Sequence, residues 1–303
     1  MKIAMLGSGG VGGYYGARLA QAGNEVTFVA RGKHAAAMRE HGLRIRSEAG
    51  DAHLQPARVV ENTADAGAQD LVVVAVKLWD SEAAAQSAKP MVGPQTTVVS
   101  LQNGVDKDDV LAAAVGRERV IGGVTHIGAT IAEPGVIAHT GRLARVTIGE
   151  LDGARSERVE CIAGAFRKAG VETVVSDDIR RATWEKFVFL TAISGLTALT
   201  RRPIGEVRSN PATRAMLLEA FEEAARVARA EGAEIAADFA QKQLAAADNF
   251  PPAMLSSMAQ DLLRKNRLEL EWLSGAVVRR AQKHGIDVPA HRHVYAGLVL
   301  HAG

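Results

Sequence analysis

Two patterns alternate along the first half of the chain. Short continuous apolar runs bounded by glycine or polar turns read as strands buried on both faces. Longer stretches with apolar residues every three or four positions read as helices. Ile3-Ala4-Met5-Leu6 is the first run. It enters Gly7-Ser8-Gly9-Gly10-Val11-Gly12, and Gly13 and Gly16 follow in a small-residue helical pattern that stops at Gly23-Asn24. Glu25 to Ala30 is a second strand. Leu43 to Ser47 and Ala52 to Gln55 flank Gly50-Asp51 as a hairpin, and Asp70 to Val76 is a buried strand that delivers Lys77. A helical pattern from Ser81 to Met91 ends at Gly93-Pro94, and a strand from Thr96 to Leu101 delivers Gln102-Asn103-Gly104. Val120 to Ala132 and Gly135 to Gly149 read as short strands with turns at Glu133-Pro134-Gly135 and Thr140-Gly141. Arg155 to Ala169 reads as a helix and Val171 to Val175 as one more strand.

The alternation then stops. From Asp177 on, the pattern is helical, broken at Arg202-Pro203, Asn210-Pro211, Pro251-Pro252 and near Pro289. The expected fold class is therefore α/β. An N-terminal Rossmann-type doubly wound sheet occupies residues 1–176, and an all-α domain occupies residues 177–303.

Composition agrees with two ordinary domains and narrows the function. The chain has 303 residues, 47% hydrophobic and 23% charged, enough for a sizeable core in each half. A formal net charge of +2 with no basic block argues against a nucleic-acid or membrane-surface partner. No apolar run approaches the roughly 18 residues of a membrane span, and the N-terminus is no signal peptide, so a cytoplasmic location is expected. The single cysteine, Cys161, excludes an internal disulfide and any CxxC metal site, and it reads as a helix-core residue. No metal centre is expected, because the histidines show no H-E-x-x-H and His291 with His293 reads as capping or decorating the last helix. His126 and His139 lie beside presumed strand ends, near where a cofactor would bind.

The candidate chemistry begins at the glycine turn. In a dinucleotide site, the first glycine (Gly7) allows the turn and the second (Gly9) lets the backbone approach a pyrophosphate. The third (Gly12) lets the helix pack against the strand, and the helix N-terminus offers N–H donors. Ser8, Gly10 and Val11 complete the loop. An acidic residue at the end of the second strand would favour NAD, but positions 27–34 hold none and Arg31 and Lys33 stand there instead. An arginine fork suits a 2′-phosphate, so NADP(H) is the expected cofactor. Lys77 and Asn103 sit at the carboxyl ends of strands, where ligands of doubly wound sheets bind. In the helical half, Lys186 shares a face with Phe189, Leu190 and Ile193, a burial that would bring its pKa toward that of a proton donor. Ser257 and Glu269 are further candidates, with Glu269 expected on one helix face with Leu273 and Ala276.

Taken together these residues resemble the ketopantoate reductase family over nearly the whole length. The likeness rests on the glycine loop, Ala30-Arg31-Gly32, Val76-Lys77, Leu101-Gln102-Asn103-Gly104 and Trp184-Glu185-Lys186. It continues through Ser257-Met258-x-x-Asp261, Glu269, Gly275 and Gly285-Ile286-Asp287-x-Pro289. The resemblance implies NADPH-dependent reduction of a 2-oxo acid, 2-dehydropantoate above all, in a cleft between the two domains, and a homodimer. It implies that Arg31 holds the 2′-phosphate, that Lys77, Asn103 and Ala129 line the cofactor, and that Lys186 is the proton donor. Ser257 becomes a substrate contact, and Glu269 touches the cofactor or orders the site. The family's substrate-gripping asparagines, one and two turns after the lysine, are Leu190 and Ser194 here. A third, after a proline, is Ile204. The alternatives are a reductase or dehydrogenase of the same family acting on another acid, and a non-catalytic NADPH sensor. Arg201 and Arg202 are a candidate replacement anchor for the substrate carboxylate.

Overall fold

The apolar runs become strands because each is covered from both sides. The computed structural model describes residues 1–302. Its chain divides into two units, Met1–Ala182 and Thr183 onward. In the first, β1 (Lys2–Leu6) passes through the glycine turn to α1 (Gly10–Gln21), followed by β2 (Glu25–Val29) and α2 (Gly32–His41). Three short strands come next: β3 (Leu43–Ser47), β4 (Ala52–Leu54) and β5 (Arg58–Val60). Alternation resumes with β6 (Gln69–Val74), α3 (Ser81–Ala88), β7 (Val92–Ser100) and α4 (Lys107–Val115). Two long strands, β8 (Val120–Glu133) and β9 (Val136–Glu150), lead to α5 (Glu157–Lys168) and β10 (Glu172–Val175).

All ten strands form one sheet in the order β4-β3-β9-β8-β7-β6-β1-β2-β5, with β10 attached to β9. From β5 to β8 the strands are parallel, and β9 returns antiparallel to β8. Successive residues of a strand face opposite sides, so each buried run feeds two cores. Ile3 and Met5 join Leu71, Val73, Tyr15, Phe28 and Phe166 on one face. Ala4 and Leu6 join Val72, Val74, Ala84, Ala85 and Leu111 on the other. Tyr15 ties α1 to the long hairpin, its hydroxyl sharing a 2.5 Å hydrogen bond with Thr125 Oγ1.

Two differences from the sequence reading have clear causes. The turn expected at Thr140-Gly141 does not end a strand. Ile127 faces Ala144 while Ala129 faces His139, so residues 140–143 form a bulge opposite Gly128. His139 Nε2 closes the bulge on the Leu143 carbonyl at 3.0 Å, and its Nδ1 bonds Ser47 Oγ at 2.8 Å. Both ring nitrogens of His139 thus serve the sheet. Cys161 is not a core residue: it lies on the solvent side of α5, whose buried face is Val159, Ile162, Ala163 and Phe166.

Past β10 the chain is helical: α6 (Ile179–Thr200), α7 (Ile204–Ser209), α8 (Pro211–Ala230), α9 (Phe239–Ala247), α10 (Ser257–Leu263), α11 (Ser274–His284) and α12 (Pro289–Leu298). The prolines mark starts, as their fixed φ and missing N–H dictate. Pro211 opens α8, where the Asn210 side chain accepts from Ala212 N at 3.0 Å. Pro289 opens α12. Glu269 is not on one helix with Leu273 and Ala276. It precedes a single 3-10 turn, Leu270–Trp272, and α11 begins only at Ser274. His291 is buried rather than decorative, with its Nδ1 2.8 Å from Glu223 Oε2.

No helix among the described residues is long and apolar enough to cross a membrane.

Candidate functional site

The order β2-β1-β6-β7 sets four loops side by side at the carboxyl edge of the sheet. After β1 comes the glycine turn, after β2 Arg31, after β6 Lys77 and after β7 Asn103. Residues far apart in sequence are thereby placed in one row of the first unit.

The glycines of the turn differ in what they exclude. Gly7 has φ +95°, and an added Cβ would lie 2.8 Å from Val76 N, so the turn abuts the loop after β6. At Gly10 a Cβ would collide with the Ala129 carbonyl, and at Gly12 with the Gly7 carbonyl. At Gly9 it would meet nothing within 4 Å. The space above Gly9 is thus open to a ligand while the turn beneath it is closed by backbone. Gly9 is the N-cap of α1, with no side-chain capping bond and no acid in the first turn. The helix N-terminus therefore offers a positive dipole end to an anion. These features fit a dinucleotide pyrophosphate. Ala129, carried by β8, is the residue that roofs Gly10.

Ser8 is buried and its hydroxyl donates to the Val29 carbonyl at 3.1 Å, which ties the turn to β2. Its carbonyl is held by a residue that the sequence did not single out. His34 Nε2 lies 2.9 Å from Ser8 O, while the Gly135 amide donates to His34 Nδ1 at 3.1 Å. An amide can only donate, so Nδ1 is the acceptor and Nε2 carries the proton. Burial lowers the His34 pKa, partly opposed by the Ser8 hydrogen bond, which keeps the ring neutral. Arg31 is exposed at the N-cap of α2, whose first turn also lacks an acid. Lys77 is exposed, its ammonium 5.5 Å from the Trp79 ring centroid, and Asn103 is half-buried beside Gly104 at φ +84°.

In the second unit α6 carries Lys186, Leu190 and Ser194 at one-turn intervals. Lys186 and Leu190 are half-buried. Ser194 and Ile204 are wholly buried, and Ser194 Oγ makes no hydrogen bond. Phe189 stacks on Phe221 and Phe250, at 5.9 and 5.3 Å. Ser257 is exposed at the first position of α10. Its neighbour Ser256 is the buried one, capping Ala259 N at 3.1 Å and sharing a 2.8 Å hydrogen bond with Thr197 of α6. Glu269 is buried, at 7% exposure, an uncommon setting for a carboxylate. Arg202 pairs with Glu206 at 3.7 Å and Arg201 lies 3.3 Å from His301, so both arginines have local partners. Among the described residues no group of three His, Cys, Asp or Glu side chains could hold a metal ion.

Comparison with known proteins agrees along the whole chain. The family model described as ketopantoate reductase PanE/ApbA matches residues 3–153, and its C-terminal companion matches residues 178–301. The 2-dehydropantoate 2-reductase of Halobacterium salinarum is 36% identical over 298 residues, covering 96% of each chain. A crystal structure of 2-dehydropantoate 2-reductase from Geobacter metallireducens superposes with a TM-score of 0.93 at 30% identity, covering 99% of each chain. A D-mandelate dehydrogenase, solved with NADH and anilino(oxo)acetate, shares the fold with a TM-score of 0.92 at 23% identity, covering 100% of this chain and 98% of that one.

Proposed function

The chain belongs to the ketopantoate reductase family of oxidoreductases, and from that premise we propose that it reduces a 2-oxo acid to the 2-hydroxy acid with NADPH. The observation that carries this reading is the row of strand-end loops with an open Gly9 between closed Gly10 and Gly12. Gly7, Ser8, Gly9, Gly10, Val11 and Gly12 hold the pyrophosphate, Arg31 the 2′-phosphate, and Lys77, Asn103, Ala129 and Glu269 the rest of the cofactor. When bound, the nicotinamide supplies the hydride. The protein's part is electrostatic and protonic: the Lys186 ammonium stabilises the charge that develops on the carbonyl oxygen and then donates its proton there. Asn103 donates a second hydrogen bond to that oxygen. Leu190, Ser194 and Ser257 shape the pocket for the acid.

NADPH rather than NADH is inferred from Arg31 at the end of β2, where no carboxylate stands to receive a ribose hydroxyl. For the substrate, 2-dehydropantoate is the first compound to try. A second reading, a 2-oxo acid with a less polar tail, is favoured by Leu190 and Ile204 standing where the family resemblance places asparagines. A pocket without those donors loses its means of demanding a substrate hydroxyl. The deciding experiment is NADPH oxidation measured against a panel of 2-oxo acids, with Lys186→Ala beside wild type. Turnover that falls about 100-fold or more in the mutant supports the assignment. Undiminished turnover removes Lys186 as proton donor, and tight NADPH binding with no turnover on any acid identifies a sensor instead.

A further inference from the structure

Beneath the edge that carries Lys77 and Asn103 lies a buried polar chain with no part in the roles above. Ser81, the first residue of α3, donates through Oγ to the Leu78 carbonyl at 2.7 Å. The Gln102 side-chain amide donates from Nε2 to Ser81 Oγ at 2.8 Å. Its Oε1 accepts from Ser100 Oγ at 2.9 Å, and Ser100 Oγ in turn accepts from the Gln102 backbone N–H at 3.1 Å. Lys107, at 2% exposure, completes the chain. Its ammonium donates to Gly123 O at 2.8 Å, to Asp108 Oδ1 at 2.9 Å and to Ser100 O at 3.4 Å. Ser81, Ser100 and Gln102 are themselves 7%, 0% and 7% exposed.

We infer that Gln102 is a positioning residue that locks the loop after β6 to the loop after β7, so that Lys77 and Asn103 are presented as one rigid unit. Geometry makes the lock specific. Gln102 immediately precedes Asn103, and Leu78 immediately follows Lys77. The bonds therefore fix the backbone one residue from each functional side chain. Each member of the Gln102–Ser81–Ser100 chain has its partners, and a fully satisfied buried network rigidifies the segments it joins. Gln102 is the one member that reaches from one loop to the other, because its amide both donates and accepts. Lys107 anchors the base of the second loop by gripping the carbonyl of Ser100, the last residue of β7, and that of Gly123 near the start of β8. The chemistry calls for such a lock, since small misplacement of a group that lines a reacting centre reduces rate steeply.

The functional half of this inference rests on the reading of Lys77 and Asn103 given above, so the test separates the two. Amide hydrogen exchange on the cofactor-free protein reports the lock alone. Ser81→Ala should raise exchange across residues 101–106, and Gln102→Met across residues 75–82, with strands β1 and β2 unchanged. Ser81→Thr, which keeps the hydroxyl, should restore protection. Exchange that changes only in the substituted loop overturns the inference, as does general loosening of both β strands. Kinetics with NADPH and 2-dehydropantoate then report the consequence. Gln102→Met and Ser81→Ala should each lower kcat/KM about tenfold, and in an Asn103→Ala background the same changes should cost much less. Full additivity would overturn the positioning role. Coupled exchange with wild-type kinetics in Lys77→Ala and Asn103→Ala would leave the lock standing and overturn the functional reading instead.

Discussion

At the residue scale, the glycine turn shows how one substitution can be forecast from backbone contacts alone. A Cβ at Gly12 would overlap the Gly7 carbonyl, which cannot move without shifting the turn itself. Gly12→Ala should therefore weaken NADPH binding about tenfold or more by fluorescence titration and lower stability. Gly9→Ala meets no protein atom. It should leave the apoprotein's thermal midpoint within a degree or two while still weakening NADPH binding; unchanged binding would remove the pyrophosphate from this loop. Arg31 is exposed at the N-cap of α2, where its side chain makes no capping hydrogen bond. Arg31→Ala should raise the KM for NADPH about tenfold or more, as loss of a charge-assisted hydrogen bond implies. The KM for NADH should stay within about twofold; equal losses would refute the 2′-phosphate assignment. These proposed roles come from the sequence because glycine spacing and the absence of an acid are local signals. His34 was not legible there, because its partners are the Ser8 carbonyl, 26 residues before it, and the Gly135 amide, 101 residues after it.

Among the helices, the capping of α12 shows where periodicity stops informing. Glu223 of α8 is wholly buried, and its carboxylate accepts from Ala290 N at 2.7 Å, His291 N at 2.9 Å and His291 Nδ1 at 2.8 Å. It caps a helix that begins more than 60 residues later, and the negative charge sits at the positive end of that helix dipole. Glu223→Ala would strand three buried donors. It should destabilise the protein by about 3 kcal/mol in chemical denaturation, with Glu223→Gln losing less. A loss under about 1 kcal/mol would show that water replaces the cap. The sequence marked this helix by Pro289 but left its capping partner unseen, since the glutamate sits among ordinary helix residues. The 3-10 turn before α11 was hidden for a similar reason: Glu269, Leu273 and Ala276 keep helical spacing even though the backbone breaks at Leu273, φ −106° and ψ −100°.

For the whole molecule, acid is the sensitive direction. His34 is held below its ordinary value of 6.5 by burial, so the unfolded chain binds its proton first. The His34 contribution is fully present above that value and is lost as pH falls through the depressed folded pKa. Glu150 acts the same way at lower pH. Hydrogen bonds from Arg158 at 2.7 and 2.6 Å, joined by Ser156 at 2.6 Å, hold its carboxyl below the ordinary 4.5. Its contribution is lost as pH falls through that lower range. Stability measured by urea unfolding should therefore decline in two stages, beginning below about pH 6.5 and steepening below about pH 4.5. His34→Phe should flatten the first stage alone. A first stage that persists in this variant would assign it to other groups.

The class of each half, and which strand-end loops are candidates to face a cofactor, can be read from the chain alone. Those depend on short-range signals: runs of apolar residues, the reach of a glycine turn, the residue type at a strand end. Only the tertiary structure decided which loops stand side by side. Strand order β2-β1-β6-β7 is not chain order, and the hydrogen bonds of Gln102, His34 and Glu223 join segments about 20 to 100 residues apart. Buried polar groups must find partners wherever the packed chain brings them. That requirement has no period along the sequence, which is why the supports of the candidate site appear only once the sheet and helices are assembled.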